Sequence, residues 1–131
     1  MPIYSPGQWL NPETRPAWAG PATAGRFSVP LDGARFDRHH HDVDELWFVS
    51  AGKAKMLLDG AEQYVQAGDI VLSRAGVAHD IVEVYEAMTG FFSETGHPAG
   101  GRTDHLHDVG SDAAGHDVPA RALPADFPVR T

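Results

Sequence analysis

Cysteine is absent from this chain, which removes disulfides, thiolate nucleophiles and sulfur-bound metal together. Any metal must therefore be held through nitrogen and oxygen. Long apolar runs are also missing: no stretch approaches the roughly 20 residues that cross a bilayer, and the N-terminus has no charged-then-apolar leader pattern. The expectation is a cytoplasmic protein with no membrane partner. Basic residues are few, with Lys and Arg totalling 10 against 18 Asp and Glu, for a formal net charge of −8. Nothing in that balance tracks phosphates, so nucleic acid is not an expected partner. Helical periodicity of any length, internal repeats and a helix-turn-helix segment are lacking as well.

What remains is a chain of 131 residues, which is read as one domain spanning 1–131. Gly 14 and Pro 10 suit many short strands joined by tight turns. Residues 1–24 are rich in Pro and Gly yet carry Trp9 and Trp18. They read as an irregular arm that must pack on something. From 26 to 92 the chain reads as successive strands, the barrel core. Residues 53–58 and 62–66 flank Asp59-Gly60-Ala61, a hairpin signal because Asp and Gly accept the positive φ of a tight turn. Residues 70–72 and 79–85 are strand-like again. Residues 95–131 read as a loop-rich tail with at most one short strand.

The chemistry concentrates in 33-GARFDRHHHDVDELWFVSAG-52. Alternate side chains of a strand face one side, which groups His39, His41, Val43, Glu45 and Trp47. Two imidazoles and a carboxylate on one face can converge on one ion. His79, at the start of a later strand, is the candidate fourth ligand. Its strand-mate Glu83 shares its parity and reads as inward-facing, toward substrate, as a partner behind the ion's ligands or a base; an ion pair with Lys or Arg is the competing reading. Trp47 reads as a pocket wall for a flat substrate or as barrel filling. Arg74 offers a two-pronged guanidinium to a substrate carboxylate, or simply occupies a surface turn. His105 and His107 form a second His-x-His in the tail and read as solvated loop residues, with a lid over the barrel mouth as the other reading. His40 faces away from the ion.

The spacing Gly33-x5-His39-x-His41-x3-Glu45-x6-Gly52, followed by Gly68-x5-Arg74-x-Gly76-x2-His79-x3-Glu83, resembles the two motifs of the cupin superfamily. Arg74 stands where that family usually has Pro, and Glu83 where it usually has Asn. The resemblance implies an all-β double-sheet jelly-roll barrel with a partly open metal site on His39, His41, Glu45 and His79. Three imidazoles and one carboxylate suit one divalent Fe, Mn, Ni, Zn or Cu better than Ca or Mg.

The expected function is a metal-dependent enzyme acting on a small oxygen-rich metabolite, an enediol, a keto-acid or a sugar-like compound. By analogy with related cupins, dioxygenase chemistry with Glu45 moving a proton leads. Isomerase, lyase or decarboxylase chemistry on the same site, or a non-catalytic binding shell, stand as alternatives. A homodimer is expected, because sheet edges need cover and the arm carries two indoles.

Overall fold

The computed structural model describes residues 1–96 and 104–130. Seven strands make up nearly all of its regular structure: β1 Thr23–Val29, β2 Arg35–Phe36, β3 Glu45–Leu58, β4 Ala61–Gln66, β5 Ile70–Ser73, β6 His79–Glu94 and β7 His116–Asp117. One 3₁₀ turn, Gly110–Ala114, is the only helical element among the described residues. None of these residues forms a helix long and apolar enough to cross a membrane. The fold is all-β, as the sequence reading expects, with two antiparallel sheets.

Two long strands organise it. β3 and β6 pair antiparallel from Glu45 opposite Glu94 to Leu58 opposite His79. β1 joins the second half of β6, and β5 joins the first half of β3. β4 joins the second half of β3. One pair of strands thus serves both layers of the barrel, which requires the pair to bend. The bend lies at a run of register shifts beginning between Val49 and Ala51, where Gly52 has φ +95. A Cβ on Gly52 would stand 2.3 Å from the Ala87 carbonyl oxygen, so the backbones there approach as closely as only glycine permits. The curl brings His79, at one end of the pair, to within 3.3 Å of Glu45 at the other.

The hairpin between β3 and β4 turns on Asp59 (φ 48) and Gly60 (φ 76), with Leu58 opposite Ala61. Two successive positive φ values are what a two-residue hairpin loop demands. The inward positions of the strands supply the core: Val29, Trp47, Val49, Ala54, Met56, Val65, Val71, Ile81, Val84 and Met88.

Both flanking segments are more engaged than their compositions suggest. Trp9 packs on Phe92 at 5.3 Å between ring centroids, and Leu10 pairs with Ala24 beside β1. Trp18 stays 67% exposed. The tail, read as loop, supplies β7 against β2, buries Val118 and Phe127, and seats Phe127 on Tyr64 at 4.8 Å. These contacts come from residues separated by apolar gaps too wide to show periodicity. The part of the tail at 97–103 lies outside the described residues.

Candidate metal centre

His39 and His41 do not lie on one continuous strand with Glu45, as alternation suggests. They sit on a short extended segment whose residue 39 bridges to His79 through reciprocal backbone hydrogen bonds of 3.2 and 2.9 Å. A bend at residues 42–43 follows, and β3 then begins at Glu45. The bend is pinned by Asp44, whose side chain accepts the Ala75 N–H at 2.8 Å, and by the Gly76 N–H on the His41 carbonyl, also 2.8 Å. All four side chains expected at the ion converge. His39, His41 and His79 are 1 to 3% exposed, and each offers a ring nitrogen within 4.8 Å of the others. His41 Nε2 stands 3.2 Å from Glu45 Oε2, and His79 Nε2 stands 3.3 Å from Glu45 Oε1.

Two of the three imidazoles are held from behind. The Nδ1 of His39 faces the Asp37 backbone carbonyl, and that of His41 faces the Asp104 carbonyl at 3.0 Å. With Nδ1 as donor, each ring once neutral presents Nε2 as the lone pair facing inward, the tautomer a metal needs. His39 is sandwiched between Phe36, centroids 5.3 Å apart, and His105, centroids 3.5 Å apart and nearly parallel. Trp47 faces inward as expected and donates its Nε1–H to Glu45 Oε1 at 2.7 Å. It also packs edge-on against His79 at 5.6 Å.

Electrostatics agree with a prepared site. Burial, helped by the neighbouring His79, pushes His39 down to about 3. Burial likewise takes His79 to about 4, although Glu45 opposes it. Both rings are therefore neutral at ordinary pH. Burial also disfavours charge on His41, but the facing Glu45 and Glu94 carboxyls outweigh it and raise His41 to about 9. Burial raises Glu45, yet His41, His79 and the Trp47 N–H outweigh that and hold it well below the usual carboxylate range.

The donor set passes a direct test of fit. His41 Nε2 and both ring nitrogens of His79 are buried without a hydrogen-bond partner among the described residues. An unsatisfied buried polar atom costs about 1–3 kcal/mol. Two of these atoms, His41 Nε2 and His79 Nε2, converge on Glu45 at 3.2 and 3.3 Å with His39 alongside, a donor set that fits a cation. Three neutral imidazoles and one carboxylate leave a divalent ion with a net charge of about +1.

Other expected residues fall elsewhere. Glu83 accepts the Tyr85 hydroxyl at 2.6 Å and pairs with Lys55 at 3.6 Å, so it is not gathered at the centre. Parity fails because Lys55 faces Glu83 while Met56 faces Ile81, leaving Val82 as an extra residue in β6. Arg74 is exposed in the β5–β6 connection, on the rim of a groove of about 290 Å³ with Leu58, Leu72 and Val77. His40 points away from the ring cluster, toward Asp108 at 3.3 Å.

The tail histidines are not simply solvated. His105 Nδ1 and His107 Nε2 each reach Asp37 Oδ2 at 2.8 Å, and Leu106 exchanges backbone hydrogen bonds with His40. Residues 104–107 thus run antiparallel to 39–41, laying His105 against the ligands. One acidic side chain was missed outright. Glu94, buried at the end of β6, forms a second group with His41 and Glu45. The alternation Met88, Gly90, Phe92, Glu94 was the signal for it.

Comparison with known proteins bears on the fold. Residues 25–89 match the cupin domain family. An uncharacterized protein of Sinorhizobium fredii is 34% identical over 71 residues, covering 54% of this chain and 33% of that protein. The chain thus spans about a third of that relative's length. A cupin 2 conserved barrel domain protein from Salinispora arenicola superposes with TM-score 0.55 at 23% identity, covering 68% of this chain and 75% of that one. A DMSP lyase from Ruegeria pomeroyi gives 0.51 at 24%, covering 56% and 38%. With its double-layered barrel, its bent β3–β6 pair and its motif residues gathered at one centre, the chain belongs to the cupin superfamily.

Proposed function

We propose that the chain is a metal-dependent enzyme acting on a small oxygen-rich metabolite, with His39, His41, Glu45 and His79 holding one divalent transition metal. The observation that carries this reading is the convergence of buried imidazole nitrogens on Glu45, with His41 Nε2 at 3.2 Å, His79 Nε2 at 3.3 Å and His39 beside them. When bound, the ion supplies Lewis acidity and, if it is Fe, Mn, Ni or Cu, redox chemistry with O₂; Zn supplies the first alone.

The chain's own residues do the rest. The Trp47 N–H fixes one oxygen of Glu45, leaving the other to face His41. Phe36, Phe27 and Trp47 form an apolar wall beside the imidazoles, with Phe27 on Trp47 at 4.5 Å. That wall suits a flat, conjugated molecule and excludes water from one side. The other side is bordered by His105 and its partner Asp37, polar groups able to meet a hydroxyl or carboxylate. Arg74 and Glu83 stand outside this arrangement.

Among reaction types the complete four-residue donor set favours a dioxygenase. The lyase branch draws support from the shared barrel of the Ruegeria pomeroyi enzyme, which supports the scaffold's capacity and no particular substrate. The test is reconstitution with each metal in turn and a screen of enediols, keto-acids and flavonol-like compounds, with and without oxygen. Turnover that stops under strict anaerobiosis supports the dioxygenase. Turnover that persists unchanged rules it out and leaves isomerisation or elimination. Tight binding with no turnover under any metal points to a non-catalytic shell.

A further inference from the structure

Glu94 has no part in the four-residue donor set, yet it is a carboxyl buried at the end of β6. It is 2% exposed, and its Oε2 has no hydrogen-bond partner among the described residues. Glu is almost never fully buried unless paired, and this position, the last of a strand, would admit a small or apolar residue. Its direction is set by backbone on both sides. Glu94 pairs with Thr23 of β1 and with Glu45 of β3, and its carbonyl accepts the Ala22 N–H at 3.0 Å. A side chain on a residue clamped between two strands, in the register position opposite Glu45, is directed at Glu45 and not at solvent.

The contacts follow from that placement. Glu94 Oε1 lies 3.9 Å from His41 Nδ1, the ring nitrogen away from the ion-facing one. The same nitrogen faces the Asp104 carbonyl. Glu94 also offers a carboxyl oxygen within 4.8 Å of a Glu45 oxygen, as its register partner in the neighbouring strand. Glu45 thus has neighbours on two sides: the Trp47 indole donating to Oε1, and the Glu94 carboxyl on the neighbouring strand. Two of the four donors, and no others, touch it.

We propose that Glu94 is a positioning residue of the metal centre, whose carboxyl braces Glu45 and the rear of the His41 ring so that both present their ion-facing atoms in a fixed direction. This rests on reading the site as a metal centre. It makes the centre depend on a fifth buried side chain, and it accounts for a carboxyl that otherwise destabilises the fold. Groups that orient ligands in this way commonly contribute about 10- to 100-fold in metal affinity.

Two variants separate bracing from framework. Glu94→Gln keeps the shape, and Glu94→Leu fills the space with an apolar group that removes the orphaned oxygen. Both are titrated with Co²⁺ by calorimetry, the visible absorption bands of the bound Co²⁺ are recorded, and the metal-free proteins are melted. The proposal expects Co²⁺ affinity to fall about 10- to 100-fold in both variants with shifted absorption bands, while the metal-free melting temperature stays level or rises. Wild-type affinity and unchanged bands in both variants would overturn it and leave the metal centre standing. A loss of affinity matched by a large drop in melting temperature in both assigns Glu94 to the framework and overturns it too. If the wild-type protein binds no Co²⁺, both this inference and the metal centre fall, and that result is distinct from the other two.

Discussion

Trp47→Phe asks whether the indole is in place to hold Glu45. The substitution keeps an aromatic ring on Phe27, Phe36 and His79 but deletes the Nε1–H that Glu45 Oε1 accepts at 2.7 Å. A hydrogen bond to an ionised group contributes about 1.5–3 kcal/mol, against about 0.5–1.5 kcal/mol for a neutral one. The smaller ring also leaves a gap in a core position, and a trimmed buried side chain adds a loss of about 1 kcal/mol. The single variant should therefore unfold about 3 kcal/mol more easily in its metal-free form. The packing part is separated by repeating the change in Glu45→Gln, where the amide oxygen still accepts but carries no charge. The gap is common to both backgrounds, so the difference between them reports the charge-assisted part, about 1 kcal/mol. Urea unfolding of the four proteins of the cycle at neutral pH, where Glu45 is ionised, measures it. Additivity within about 0.4 kcal/mol would refute the argument that the indole bond is strengthened by the charge on Glu45.

Three further outcomes are expected. Gly52→Ala places a Cβ 2.3 Å from the Ala87 carbonyl oxygen at φ +95, so a loss of about 3 kcal/mol or more is expected in urea unfolding; a neutral result contradicts the bend at that point. Metal binding must displace the proton that Glu45 and Glu94 help keep on His41 up to about 9, whereas His39 and His79 already stand neutral above about 3 and 4. Affinity should therefore rise with pH through neutrality and level off near 9, with about one proton released per ion from His41; calorimetry in buffers of different ionisation heat checks this, and a pH-independent affinity contradicts it. We also propose a homodimer in which residues 1–24 reach the partner, since Ile3 and Trp18 remain exposed while Trp9 is used on Phe92; sedimentation of the intact chain as a clean monomer at micromolar concentration speaks against it.

Much of the barrel was legible because its signals are local. Asp59-Gly60 marks a turn whatever surrounds it, and the spacing of His39, His41, Glu45 and His79 survives even though the first two lie on a separate segment from β3. What failed were inferences that carry parity over distance. Counting from His79 turns Glu83 inward, and one extra residue at Val82 reverses that count, while the other reading, an ion pair with Lys or Arg, matches its contact with Lys55. Glu94 carries a local mark in the alternation Met88, Gly90, Phe92, Glu94, but its meaning depends on the β3–β6 register that sets it opposite Glu45, a long-range pairing that local pattern does not reveal. His105 offered a second His-x-His, but its position against His39 depends on a tail that pairs through the backbone at His40 and Leu106, and backbone pairing leaves little trace in side-chain type.

The central claim is that His39, His41, Glu45 and His79 hold one ion, and metal stoichiometry tests it most directly. Purified protein, stripped and reloaded with Fe²⁺, Mn²⁺, Ni²⁺, Zn²⁺ and Cu²⁺ separately, is analysed for bound metal beside His41→Ala and His79→Ala and melted in parallel. The account predicts about one ion per chain in the wild type for at least one of these metals, a higher melting temperature on loading, and loss of both in each alanine variant. Full metal content and an unchanged melting temperature in both variants, or no bound metal in the wild type under any of the five, would contradict it.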